Sequence, residues 1–445
     1  MKVQSRRAAI VLLLMAFFVA GLVIFIGRYL KEAPMWAGYS ANKHLYINGQ
    51  PKNVAISDRN GATLYKSTNG KIEYNSDQTI RTAVMHAVGD PKGNVSTGAL
   101  TAFKKQLTGW NLIDGVYSTG SGRELKLTID ANLCAAAYKA LAGRKGTVGV
   151  YNYKTGEILC MVSSPSFDPQ NTPTVDSGSE KYNGVYINRL LSGSYTPGSV
   201  FKLVTAAAAI DNLTGVTSRT FDCTSELNLN GGKVTCPTAH GKEDLQRALA
   251  VSCNTTFGEL AVEVGPSVLQ SYAQKAGFNS NLYVDGIKAA QGKVDVTKAD
   301  KLNLAWAGVG QYTDTANPLT YMAYVGAIAN GGVRVTPRLL ENSQSPGNRI
   351  LSSETAKTIS AMMRNDVKVN YGEENYQGLQ LCAKSGTAQL SEGEKPHAWF
   401  TGFMDRQDCP LAFVVVVENG GAGSSVAGPI AGKVLQKAVQ IETGK

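Results

Sequence analysis

A chain of 445 residues with 43% apolar and 18% charged side chains can bury a large core, which excludes a disordered polyelectrolyte and points to more than one folded unit. The net charge of +10 is spread along the chain with no basic block interleaved with aromatics, so nucleic acid is not an expected partner, and an anionic membrane or wall surface suits the charge equally well. Seven scattered cysteines (134, 160, 223, 236, 253, 382 and 409) contain no Cys-x-x-Cys, and the four histidines no His-x-x-x-His. Neither a metal nor any other cofactor is expected from that spacing.

In chain order, Ala8 to Gly27 is an uncharged, mostly large apolar run that as a helix spans about 30 Å, the depth of a bilayer core. Lys2, Arg6 and Arg7 precede it, which by the positive-inside rule makes residues 1–7 a cytoplasmic tail, 8–27 a membrane anchor and the remainder extracytoplasmic. A cleaved signal peptide is the rival reading, but its apolar part runs only about 7–15 residues, and no small-x-small cleavage pattern follows directly here. Residues 28–124 are polar and turn-rich, with Asn48-Gly49, Asn60-Gly61 and Asn69-Gly70. Short β-type pieces such as Asn53–Ser57 suggest a small extended domain there, in which Asp58-Arg59-Asn60-Gly61 reads as a turn.

Residues 125–445 have a different character. Leu125–Ile129 alternates like a strand, and Asp130 can cap a helix over Ala131–Leu141. Gly146–Tyr153 and Glu157–Val162 read as a hairpin, followed by a long irregular stretch from Ser163 to Tyr195. Helical patterns dominate from Ser199 to about Asn330, including Leu245–Val251, Phe257–Val264 and Ser267–Ala276. Strand patterns return at Leu379–Leu390, Ala398–Phe403 and Leu411–Glu418, and a last helix is expected over about Pro429–Ile441. This order implies an α+β domain: one mixed sheet built from pieces distant in sequence, with a helical insertion between them.

Three short stretches carry chemistry. Thr196-Pro197-Gly198-Ser199-Val200-Phe201-Lys202 opens an alanine-rich buried helix, with Ser199 in its first turn and Lys202 three residues on, on the same face. A serine hydroxyl needs a neighbouring base, and a lysine whose pKa is lowered by burial or a second cation can be one. Alone, this tetrapeptide reads as readily as a helix cap with a solvated lysine. Ser252-Cys253-Asn254 lies at a helix junction, where the hydroxyl and amide can point the same way into a cleft, although Ser and Asn are also ordinary caps. Lys384-Ser385-Gly386-Thr387 lies in a β-type run. Lys384 offers a fixed cation, Ser385 and Thr387 hydroxyls, and Gly386 room for a ligand backbone; the plain alternative is an edge strand with a solvated lysine.

Ser-x-x-Lys, then Ser-x-Asn, then Lys-Ser/Thr-Gly, in that order, is the signature of penicillin-interacting serine enzymes. With Ile56–Gly61, Leu127–Asp130, Thr155–Leu159, His240-Gly241, Ala329–Gly332 and His397–Phe400 beside them, residues 50–435 closely resemble the class B penicillin-binding proteins, and the short N-terminal region their small subtype similar to penicillin-binding protein A. The resemblance implies an antiparallel sheet packed between helices, with a helical subdomain. It also implies a D,D-transpeptidase acting on peptidoglycan stem peptides, blocked by β-lactams and working beside a membrane glycosyltransferase. Ser199 would attack the D-Ala-D-Ala carbonyl, Lys202 take its proton, Ser252 relay a proton to the leaving amine and Asn254 bind the substrate amide. Lys384 would hold the charge of the network and help keep Lys202 neutral. Ser385, Gly386 and Thr387 would line the substrate site, and the N–H groups of Ser199 and Thr387 would form the oxyanion hole. The family more often has threonine where Ser385 stands; the hydroxyl is kept. A class A β-lactamase would need a glutamate for its deacylating water, and no Glu-x-x-Leu-Asn follows Asn254.

One covalent question stays open at this point. Asn230-Gly231 suggests a tight hairpin that places Cys223 and Cys236 diagonally rather than directly opposite, so geometry disfavours a disulfide that an extracytoplasmic location would favour.

Overall fold

Leu411–Val417 is apolar at every position and buried at every position, which is what a central strand covered on both faces requires. In the computed structural model, which describes residues 2–37, 39, 46–47, 50–107, 110–111, 115–116, 123–175, 180–389 and 393–444, this strand sits in the middle of a five-stranded sheet. The order is Ile158–Ser164, Gly146–Asn152, Leu411–Val417, His397–Met404 and Leu381–Ala388. Every neighbouring pair is antiparallel, so the mixed sheet read from element order is corrected: the crossing connections run through the helical insertion, yet each strand returns against its neighbour. The turn at Asn48-Gly49, Gly122 and the end of the strand pattern at Leu390 lie outside the described residues.

Alternation along His397–Met404 assigns the two helical layers. Trp399 meets Tyr321 of the apolar helix Pro318–Ala329 on one face. Phe400 stacks on Tyr376 and lies against Gly428 of the C-terminal helix on the other. That last helix runs Gly423–Thr443, starting before Pro429 rather than at it. Its first residue explains why: a Cβ on Gly423 would collide with the carbonyl oxygens of Trp399 and Gly386, so the helix can begin in contact with the edge strand only at a glycine. Ala131–Leu141 forms as expected, capped by the Asp130 carboxylate accepting from the Leu133 N–H.

Asn53–Ser57 is a strand, pairing antiparallel with Thr63–Thr68 and parallel with Arg123–Lys126. The stretch 58–61 is a turn with a second role, because Asp58 also accepts from Ala131 N–H, and Asn60 donates to Asp130 at the helix cap. Arg81 and Asp168 form a nearly buried bidentate pair with contacts of 2.6 and 2.8 Å, tying the N-terminal segment to the irregular stretch before Ser199. Lys2–Ala37 is one helix, and its stretch Gln4–Ala33, whose most apolar 18 residues have a mean hydropathy of 3.1 and are not buried against the protein, is long and apolar enough to cross a membrane.

Candidate active site

The run Lys202–Asn212 is a helix buried on almost every side, entered through a single 3₁₀ turn, Gly198–Phe201. The turn is pinned from three directions. Gly198 N–H donates to Gly310 O at 2.9 Å, Trp399 Nε1 donates to Thr196 O at 3.0 Å, and Tyr321 Oη donates to Val200 O. Gly198 has φ +56°, and a Cβ there would lie 3.0 Å from Thr387 O and from Ala388 Cα; both conditions select glycine. A Cβ on Gly386 would lie 2.7 Å from Pro197 O. Gly386 is therefore bare so that the Ser199 turn can seat against the edge strand, a packing reason that its sequence context did not suggest. The outcome is that the Ser199 backbone and the Thr387 backbone are neighbours on one rim.

Lys202 Nζ lies 3.0 Å from Ser199 Oγ, 2.6 Å from Ser252 O, 3.1 Å from Ser252 Oγ and 2.8 Å from Asn254 Oδ1. Ser252, at φ +57°, joins helix Leu245–Ala250 to helix Asn254–Val264, and this left-handed kink turns its carbonyl and hydroxyl to the lysine. Asn254 Nδ2 donates to Thr235 O at 2.8 Å, which orients its amide oxygen toward Lys202. Two of the four partners, Ser252 O and Asn254 Oδ1, accept only. They take the two protons of a neutral amine and leave its lone pair for the Ser199 O–H. The electrostatics agree. Lys202 is wholly buried, and that burial, followed by the nearby charge of Lys384, lowers its pKa to about 7.

Lys384 is equally buried, but its Nζ lies 3.6 Å from Asp366 Oδ2, 3.4 Å from Tyr371 Oη and 3.3 Å from Ser385 O. Burial pulls Lys384 below the usual lysine range while Asp366 pulls it back. Burial also raises the Asp366 carboxyl to about 6, against the favourable pull of Lys384. We read the pair as charged at neutral pH, since each removes the reason for the other to neutralise. Tyr371, whose phenol burial keeps protonated, donates to Ser385 Oγ at 2.9 Å and accepts from Ser385 N–H at 2.8 Å. Thr387 Oγ1 accepts from Gly423 N–H at 3.3 Å.

Ser199, Ser252, Asn254 and Thr387 line one open cleft of about 570 Å³, together with Thr235, Trp306, Gln311 and Gln389 among others. The first two motifs therefore meet around Lys202, with a nucleophile, a base and a second hydroxyl in contact, while the third supplies Thr387 on the rim and a buried cation, Lys384, whose charge reaches the base. Motif reading missed Asp366 and Tyr371. Asp366 is the last α-helical residue of Ser353–Asp366, and the chain runs on without a break into a π-helical turn, Val367–Gly372, that carries Tyr371; neither residue stands in a motif that could have announced it.

The cysteine question resolves against a bridge. All seven cysteines are free, and Cys223 lies on a ladder with Gly241, apart from the 226–235 hairpin. The fold instead gathers Cys223, Cys236, His240 and Cys253, whose ligand atoms all lie within 4.8 Å of one another. No short ligand spacing announced that group, although Cys236 and His240 stand four apart.

Residues 146–436 match the family described as penicillin binding protein transpeptidase domain. The chain is 29% identical over 387 residues to the peptidoglycan D,D-transpeptidase PbpA of Mycolicibacterium smegmatis, covering 77% of this chain and 78% of that protein. It is 29% identical over 370 residues to the peptidoglycan D,D-transpeptidase MrdA of Haemophilus influenzae, covering 71% and 56%. Among solved structures, a ceftriaxone acyl-enzyme complex of penicillin-binding protein A from M. tuberculosis superposes with a TM-score of 0.74 at 23% identity, over 88% of this chain and 99% of that one. Pseudomonas aeruginosa PBP2 in complex with WCK 5153 superposes at 0.75 with 25% identity, over 89% and 98%. The fold and the serine–lysine centre define a serine acyltransferase of the penicillin-binding type. The chain belongs to the penicillin-binding protein transpeptidase family.

Proposed function

We propose that this protein is a serine-type D,D-transpeptidase that cross-links peptidoglycan stem peptides. The observation that carries the reading is Lys202 Nζ within 3.1 Å of Ser199, Ser252 and Asn254 at once. Neutral Lys202 takes the Ser199 proton as Oγ attacks the carbonyl between the two terminal D-alanines. The Ser199 and Thr387 N–H groups stabilise the oxyanion, and Ser252, in contact with Lys202, passes a proton to the departing D-alanine amine. The acyl-enzyme is resolved by an acceptor amine along the same proton path in reverse. Lys384 fixes positive charge beside the substrate's terminal carboxylate, which Ser385 and Thr387 bind. Asn254 holds Lys202 and lines the cleft where the substrate amide lies.

A β-lactam enters as a substrate whose leaving amine stays tethered, so its ester persists. Among the described residues lining the cleft none is an aspartate or glutamate that could activate water, which favours transfer over hydrolysis. The N-terminal helix anchors the protein with residues 1–7 inside and the catalytic domain outside. A membrane glycosyltransferase is the proposed partner, because cross-linking consumes strands that glycosyl transfer must first make.

Intact-mass measurement after addition of benzylpenicillin tests the reading. We expect one adduct per chain, stable for many minutes and absent in Ser199→Ala. An adduct surviving that substitution would remove the nucleophile. Release of hydrolysed drug over many turnovers within seconds would make the protein a β-lactamase.

A further inference from the structure

A second cavity, of about 490 Å³, lies between the stretch 370–376 and the first half of helix Gly423–Thr443, and it shares no lining residue with the cleft at Ser199. Three hydrogen bonds tie its walls to the catalytic elements. Tyr371 Oη donates to Ser385 Oγ at 2.9 Å, and Asn370 Nδ2 donates to Ala250 O, two residues before Ser252, at 2.8 Å. The Gly423 N–H, beside the wall residues Ser424 and Ser425, donates to Thr387 Oγ1 at 3.3 Å. The cavity therefore borders the groups assigned above to the leaving D-alanine: the serine that gives its amine a proton and the two hydroxyls that bind its carboxylate.

The lining has a chemical bias. No aspartate or glutamate is among the described residues that form it, and the exposed side chains of Ser424, Lys433 and Gln436 stand beside the buried rings of Tyr371 and Tyr376. An ammonium group, amide and hydroxyl donors and two rings suit a peptide that carries carboxylates. The second half of acyl transfer calls for such a peptide on this side. Once Ser199 is acylated, the acyl half of the donor stays in the cleft with Asn254 and Trp306. The acceptor amine then reaches the ester carbon along the path that the leaving amine took, because the same groups serve both directions.

We propose that this cavity is the acceptor subsite, holding the stem peptide of a second glycan strand whose amine-bearing carbon also carries a carboxylate. That carboxylate takes the place of the departed D-alanine's at Ser385 and Thr387, and the rest of the peptide lies in the cavity against Lys433 and Gln436. The amine nitrogen bonds to the ester carbonyl carbon, the bond from that carbon to Ser199 Oγ breaks, and one amine proton returns through Ser252 and Lys202 to Ser199 Oγ. A peptide bond and a free serine result, and nothing is oxidised or reduced. Donor and acceptor thus occupy two cavities that meet at the catalytic serine. The inference rests on the proposed transpeptidation and adds the place and class of its second substrate.

The test uses the full chain in detergent with an N-acyl-D-alanyl thioester as donor and three acceptors. D-alanine reaches the ester but is too short to fill the cavity. A synthetic stem tetrapeptide with diaminopimelate as its third residue fills it and carries the carboxylate, and the lysine tetrapeptide lacks that carboxylate. The diaminopimelate peptide is expected to accept at least about tenfold more efficiently than either of the others. Lys433→Glu, and Gln436→Trp, which fills the cavity from an exposed helix position, should each raise the KM for that peptide about fivefold or more while transfer to D-alanine stays within about twofold. Equal use of the two tetrapeptides would overturn the shared carboxylate subsite. An unchanged KM in both variants, or an equal loss with D-alanine and with the diaminopimelate peptide, would overturn the cavity assignment. Intact mass reads the first half-reaction separately. A chain that never forms the Ser199 acyl-enzyme would overturn the acyl-transfer reading and this inference with it, whereas an acyl-enzyme that forms without acceptor discrimination would overturn this inference alone.

Discussion

Lys202 and Lys384 are both fully buried and the charge of Lys384 reaches Lys202, yet they are built for opposite protonation states. Around Lys202 every partner is neutral: two serine oxygens, a backbone carbonyl and an amide oxygen. Around Lys384 one partner is the buried carboxylate of Asp366. Desolvation acts on both, and the carboxylate decides which lysine keeps its proton. The retained charge on Lys384 then depresses its neighbour further, so one lysine makes the other a base.

That contrast can be broken most sharply at the base. Lys202→Met should lower the second-order rate of Ser199 acylation about 10³-fold, followed by intact mass. Lys202→Arg should fail similarly, because a guanidinium cannot shed its proton. At the other lysine the principal loss is stability. Lys384→Met leaves Asp366 buried without a cation, and chemical denaturation should show a loss of roughly 3–5 kcal/mol. Adding Asp366→Asn to Lys384→Met should restore much of that loss; no recovery would mean that the pair is not charged. The smallest effect is expected at Tyr371→Phe, which removes one phenol oxygen from the amide and hydroxyl of Ser385 and should cost about 1–3 kcal/mol in transition-state binding or stability. The same phenol touches Lys384 and Asp366, so acylation some tenfold slower with an unchanged pH profile would fit positioning of Ser385, whereas a shifted profile would place the effect on the charged pair.

The parts legible in the sequence were those with local signals. Leu411–Val417 and Ala131–Leu141 follow from an apolar run and from a capping aspartate. The three motifs named residues that the fold gathers: Ser199, Ser252 and Asn254 line one cleft with Lys202 in hydrogen-bond contact behind them, and Lys384 lies buried near enough to depress the Lys202 pKa. Long-range juxtaposition was less legible. Pro429 reads as a helix start because prolines favour first turns, whereas the true start at Gly423 is set by the carbonyls of Gly386 and Trp399. Gly386 reads in the sequence as room for substrate, and only the fold shows that Pro197 seats against it. Asp366, Tyr371 and the Cys223–Cys253 cluster belong to no motif, since their partners lie on elements that only the closed fold brings together.

The pH dependence of acylation tests the central claim, a neutral Lys202 held beside a charged Lys384, most directly. With a pKa of about 7, Lys202 is protonated in the folded chain below that value and neutral above it. The unfolded chain keeps this proton up to the ordinary lysine pKa of about 10.4, so stability gained through this group also rises with pH between the two values. The measurement is the rate constant for benzylpenicillin acylation of Ser199 by intact mass, from acidic to mildly alkaline pH. We expect it to climb about tenfold per pH unit below pH 7 and to level off above it, with the climb absent from the residual rate of Lys202→Met. A rate that keeps rising toward the ordinary lysine pKa, or that is flat across neutrality in the wild type, would contradict a neutral Lys202 as the base.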